Sequence, residues 1–167
     1  MKRLLLVALL YTLSVSANAE RLAALLTGYE EVPAVSTAAT GEFRGTIIQN
    51  GNTINYELTY SGLTSVSQAH IHFAQQGVNG GVVVWLCATE AIPGPSGTPT
   101  CPANGQSVSG TITATKVVAS ATFGQQLSAG ELSELIAAIR AGVTYVNVHT
   151  EASSAGELRG QITSYGR

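Results

Sequence analysis

Gly41-Glu42-Phe43-Arg44-Gly45-Thr46-Ile47-Ile48-Gln49-Asn50-Gly51-Asn52-Thr53-Ile54-Asn55-Tyr56-Glu57-Leu58-Thr59-Tyr60-Ser61-Gly62 reads as a β-hairpin. Ile54, Tyr56, Leu58 and Tyr60 alternate with Asn55, Glu57 and Thr59, the period of two expected of a strand with one buried face. Asn50-Gly51 lies between the two halves, where a tight hairpin turn wants positive φ. Outward from this hairpin, further strands are expected at Arg21–Thr27, Ser67–Phe73, Val82–Cys87, Val108–Val118, Val143–Thr150 and Glu157–Ser164. The run Val82-Val83-Val84-Trp85-Leu86-Cys87 is apolar on both faces and reads as a central, covered strand.

One segment breaks the alternation. Ser128 followed by Glu131 is a capping box, Leu132, Leu135, Ile136 and Ile139 repeat at helical spacing, and Gly142 is placed to end the turn, which predicts one helix of about three turns. About eight short strands and a single short helix near the C-terminus define an all-β fold, an antiparallel β-sandwich or Greek-key barrel, with the Leu/Ile stripe packed over one open end.

The chain has 167 residues, one domain's worth, with 45% apolar and 11% charged residues and a formal charge of −2. This composition argues against intrinsic disorder. At the N-terminus two cations, Lys2 and Arg3, precede an apolar run from Leu4 to Val15 and then Ala17-Asn18-Ala19. Residues 1–19 thus read as a signal peptide cleaved after Ala19, with residues 20–167 as the exported domain. The apolar run is shorter than the ~20 residues a comfortable bilayer span needs, so no membrane span is expected in the mature chain. Without Lys2 and Arg3, six cations face ten glutamates. That is too few for the basic face of a nucleic-acid binder. The chain has no aspartate, which excludes dyads and triads built on one.

In an exported chain the only two cysteines, Cys87 and Cys101, flanking the Pro/Gly/Thr-rich segment 88–100, are most simply a disulfide. The other reading of the pair is two thiolates of a metal site with a distant histidine.

Two of the three histidines fall in Ala69-His70-Ile71-His72-Phe73. Spaced by two in a strand, His70 and His72 project from one face while Ala69, Ile71 and Phe73 take the other. In Val143-Thr144-Tyr145-Val146-Asn147-Val148-His149-Thr150, core valines at 146 and 148 place Tyr145, Asn147 and His149 on the opposite face. If both strands belong to one sheet, the three imidazoles share a surface and suit zinc or copper, with a fourth position open or filled by Glu151, Glu157 or water. The alternative is that the rings hydrogen-bond polar neighbours on a half-exposed sheet. The loop 75–81, Gln-Gln-Gly-Val-Asn-Gly-Gly, lacks phosphate-loop spacing and reads as structural. No nucleophile elbow is present, and Glu30-Glu31 falls in a loop with no visible partner, so hydrolase and glycosidase chemistry have no specific support.

A short echo, Gly41-Glu42-Phe43-Arg44-Gly45-Thr46-Ile47 against Gly156-Glu157-Leu158-Arg159-Gly160-Gln161-Ile162, is too brief to define a repeat. Each copy sets Glu and Arg on one strand face and reads as a ladder of solvated ion pairs.

Four ordered blocks of residues resemble the CHRD domain, the family named for chordin. They are Leu26-Thr27-Gly28-Tyr29-Glu30-Glu31-Val32-Pro33 with Ala39-Thr40-Gly41; Ala69-His70-Ile71-His72 with Asn79-Gly80-Gly81-Val82-Val83; Tyr145 to Thr150; and Gly156 to Gly160. Ala34 stands where the family pattern has a second proline. The resemblance spans nearly all of residues 20–167 and implies a β-sandwich-like extracellular module without an agreed activity. The His-x-His strand is also similar to the copper strand of Cu/Zn superoxide dismutase. That family's bimetal site needs more histidines than this chain has, and an aspartate it lacks, which leaves at most one three-histidine centre.

The reading that follows is an exported, non-catalytic binding module, periplasmic or extracellular, with His70, His72 and His149 as a candidate copper or zinc site. Tyr145 and Asn147 are candidates to orient the rings, with Glu157 and Arg159 along the same face. Its partner would be an extracellular protein, a glycan or a small ligand. The competing classes are a metal-dependent enzyme with a single superoxide-dismutase-like site and a purely structural or adhesive module.

Overall fold

The computed structural model describes residues 19–48, 51–120 and 124–166. The expected signal peptide, all but Ala19, and Asn50 of the Asn50-Gly51 turn lie outside them. Nine strands are present among the described residues: β1 Glu20–Thr27, β2 Thr40–Ile48, β3 Thr53–Ser61, β4 Val66–Phe73, β5 Gly81–Ala88, β6 Ser107–Ile112, β7 Thr144–Thr150, β8 Leu158–Gln161 and β9 Thr163–Tyr165. The helix α1 covers Leu132–Arg140. The sheet runs β5-β4-β7-β8-β1-β2-β3-β6, with β9 joining β1 beside β8, and every ladder is antiparallel. It curls into a nearly closed barrel whose two edges, β5 and β6, approach one another. Tyr56 on β3 crosses the interior to donate its hydroxyl to the Leu86 carbonyl on β5, at 2.8 Å.

The hairpin stands as its alternation dictates. Ile54, Tyr56, Leu58 and Tyr60 are buried while Asn55, Glu57 and Ser61 are exposed, and β2 pairs with β3 from Thr40↔Ser61 to Ile48↔Thr53. In α1 the Leu132, Leu135, Ile136 and Ile139 stripe joins the core. Arg140 in its last turn binds the Glu20 carboxylate at the start of β1, closing that end of the barrel. The helix has nine residues and so falls short of three turns, because residues 128–131 form a turn ahead of it. Half of the expected capping box forms there, the Glu131 carboxylate accepting from the Ser128 N–H at 2.7 Å.

Three strands differ from expectation. The strand expected over Val108–Val118 ends at Ile112, where the chain turns through a 3-10 segment, Ala114–Lys116. Lys116 is held there by the Ser96 and Gly97 carbonyls, and Val118 N–H then bonds Val83 O. The strand expected over Glu157–Ser164 is two strands broken at Ile162, whose N–H bonds Thr144 O. The valine strand β5 is an edge of the sheet and not its centre. Its open edge is capped by backbone hydrogen bonds from the returning segments around Val118 and Pro99. A disulfide joins Cys87 to Cys101, beside a parallel bridge between Ala88 and Thr100.

Candidate metal centre

β7 lies between β4 and β8, and all seven of its residues are buried. Val146 and Val148 face the core. Tyr145, Asn147 and His149 take the other face of the sheet, where the segments around Glu31, Gln75–Gly80 and Ser154 cover them. β4 pairs along the same side with His70↔Asn147 and His72↔Tyr145, which brings His70 and His72 onto this covered outer face next to His149. The rings are 3%, 8% and 7% exposed for His70, His72 and His149, so the half-exposed sheet of the alternative reading is not what surrounds them.

One ring nitrogen from each histidine lies within 4.8 Å of the others, and among the described residues no carboxylate belongs to that cluster. His72 Nδ1 lies 2.9 Å from Gly80 O, and His149 Nδ1 lies 2.9 Å from Ser154 O. A carbonyl only accepts, so both rings carry their proton on Nδ1 and present Nε2 as a bare lone pair. His149 Nε2 is 3.2 Å from His70 Nδ1, which must therefore donate to it, leaving His70 Nε2 bare as well. His70 Nε2 and His72 Nε2 are buried with no hydrogen-bond partner. Each such orphan costs about 1–3 kcal/mol.

Burial, reinforced by His149 and His72, pushes His70 down to about 2, and burial takes His72 to about 4 against the opposing hydrogen bond to Gly80. Burial lowers His149 also. All three rings are thus neutral at neutral pH, the form a metal requires. Backbone carbonyls that fix the tautomer are the usual outer support of metal-binding imidazoles.

The wall of the site is aromatic. Trp85 stands edge to face with His70 at 4.3 Å, and Tyr145 stacks on His72 at 4.7 Å with the planes 6° apart. The Arg159 guanidinium lies 3.5 Å from the Tyr145 ring centroid. Arg159, 1% exposed, also donates to Asn79 Oδ1, Val78 O and Gln75 O, so it fastens the 75–80 loop over the site. Asn147 is turned away from the rings and donates to Glu31 and to Leu158 O. Glu157 accepts from Thr37 and Thr150, which makes the second copy of the echo unlike the first: only Glu42 and Arg44 form the exposed ion pair, at 2.7 Å.

Glu31, which the sequence leaves in a loop without a visible partner, is paired with Asn147. It is buried, and burial pushes its carboxyl up to about 7 despite the nearby Arg159. Gly156, at φ +128°, has no room for a Cβ between Asn147 and Glu31, so the pair depends on glycine there. A cramped glycine beside an acidic loop leaves no periodic signal. Trp85 was visible only as part of an apolar strand.

Fold and site define a disulfide-stapled antiparallel barrel with a buried histidine cluster on the outer face of its sheet. Residues 22–162 match the CHRD domain model, and the chain belongs to the CHRD domain family. No curated protein and no solved structure matches it. The family, one of extracellular modules, and the disulfide both fit an oxidising compartment. Among the described residues no helix is long and apolar enough to cross a membrane.

Proposed function

We propose that this chain is an exported binding module that holds one copper or zinc ion through His70, His72 and His149. The observation that carries the reading is the pair of orphaned buried lone pairs, His70 Nε2 and His72 Nε2, within a cluster of three neutral imidazoles. Metal–nitrogen distances of about 2.0–2.1 Å place ligand nitrogens roughly 3.3–3.6 Å apart. The candidate nitrogens, now within 4.8 Å of one another, need to close by about 1.5 Å or less to reach this, with the His70 Nδ1–His149 Nε2 hydrogen bond giving way to the ion. Tyr145 and Arg159 hold His72 in place, while the carbonyls of Gly80 and Ser154 set the tautomers of His72 and His149. The low exposure of all three rings favours holding an ion over offering it to a substrate, which supports a non-catalytic role.

Mature protein with its disulfide intact, loaded with copper or zinc, desalted and assayed by elemental analysis, is expected to retain about one equivalent. The His70→Gln/His72→Gln double variant is expected to retain none while keeping the wild-type far-ultraviolet circular dichroism. Equal retention by a folded double variant would sink the proposal.

A further inference from the structure

Resting on that reading, we infer that the ion this centre selects is monovalent copper, Cu(I), over Zn(II) and Cu(II). Imidazole by itself does not make this choice, since it suits zinc and copper alike. The surroundings make it.

The first reason is that the ligand set carries no charge. The cluster is three imidazoles without a carboxylate. Cys87 and Cys101 are joined to one another and supply no thiolate. The Tyr145 oxygen is engaged by the Gly80 N–H, at 3.4 Å, and stays outside the cluster. Nothing in the cluster neutralises the ion, and the cost of desolvating a bare ion rises with the square of its charge, so a divalent ion pays about fourfold what a monovalent one does.

The second reason is a fixed cation. Arg159 lies 3.5 Å from the Tyr145 ring, and that ring lies 4.7 Å from His72, which places the guanidinium within roughly 8 Å of the His72 imidazole. At an effective dielectric of about 20, each added unit of charge on a nearby ion then loses about thirtyfold in affinity. Glu31, itself buried beside Arg159, offsets this in part, and its carboxyl is half protonated near neutrality.

The third reason is coordination number. Zn(II) with three protein ligands takes a water as its fourth, and Cu(II) prefers tetragonal sites. The Trp85 and Tyr145 rings pack on His70 and His72, and all three histidines are buried, surroundings that disfavour added water ligands. Cu(I) is satisfied by three.

The test uses the whole mature protein with its disulfide intact, in three parallel equilibrations: Cu(I) supplied as its bicinchoninate complex without oxygen, Zn(II) sulfate, and Cu(II) sulfate. Trp85 is the chain's only tryptophan, so its emission reports occupancy next to His70, alongside the metal count. The expected result is about one equivalent of Cu(I) taken from bicinchoninate, quenched Trp85 emission, and retention against about a hundredfold excess of Zn(II), with Cu(II) bound at least about a hundredfold more weakly. Zn(II) or Cu(II) bound as tightly as Cu(I) would overturn the inference and leave the metal centre standing. Failure to bind any of the three ions would overturn both.

Discussion

His72 shows how a single side chain is prepared for a task. Its Nδ1 proton is given to Gly80, its ring lies flat on Tyr145, and its remaining nitrogen faces the other two imidazoles without a partner. Burial holds its titration far below the ordinary range, as it does for His70. In the unfolded chain these rings take up protons below about pH 6.5, whereas the folded metal-free protein refuses them until far lower pH. Their contribution to stability is therefore complete above about pH 6.5 and is lost as pH falls, by up to ~1.4 kcal/mol per pH unit for each ring. Glu31 works in the opposite sense. Its raised carboxyl stabilises the fold while protonated and loses that contribution as pH rises towards 7. Urea unfolding of the metal-free protein is thus expected to weaken between pH 6.5 and 4.5, and Glu31→Gln is expected to steepen the decline; a flat profile would contradict the assignment. The shared face of His70, His72 and His149 was legible from strand parity, because alternation is a local rule. Glu31 was not, because it lies in a loop and its partner Asn147 is 116 positions away.

At the scale of elements, β7 decides where the site sits. A strand with both faces buried in a curled sheet needs a second layer on its outer side, and the loops around Glu31, Gln75–Gly80 and Ser154 supply it. Arg159 on β8 fastens that layer by bonding three residues of the 75–80 loop and capping Tyr145. Arg159→Gln removes the charge, most of the donors and the ring contact, and is expected to cost about 3–5 kcal/mol in chemical denaturation. Amide exchange over residues 75–80 should quicken with it, and wild-type protection there would show that the loop is held by other means. The echo motif illustrates a limit of reading sequence: two near-identical heptads predict the same ion pair, yet only the one on β2 forms it. The second sits beside a covered strand, so its arginine is drawn into the loop layer. β6 ends early for a comparable reason, since residues 113–118 are needed to cover the β5 edge.

For the whole molecule, the barrel order and its incomplete closure follow from pairings between residues far apart in the chain, which no local pattern specifies. The hairpin, the helix stripe and the cysteine pair were readable because each carries its own signal: a period of two, a period near 3.6, and two cysteines in a chain that reads as exported. The Cys87–Cys101 bridge fastens the end of β5 to the segment that covers it. Replacing both cysteines with alanine is expected to cost about 3 kcal/mol, a loss of roughly 6–12 °C in Tm. A Tm unchanged in the double variant would mean that the 88–100 segment is secured without the bridge.

In the proposed centre, three imidazoles from two neighbouring strands bind one ion together. X-ray absorption spectroscopy of the copper-loaded protein reads that ligand set directly. Three nitrogen scatterers at about 2.0 Å are expected, with the outer-shell pattern of imidazole rings, and that pattern weakened by the loss of one ring in the His149→Gln variant. A first shell of oxygen without imidazole scattering would contradict it.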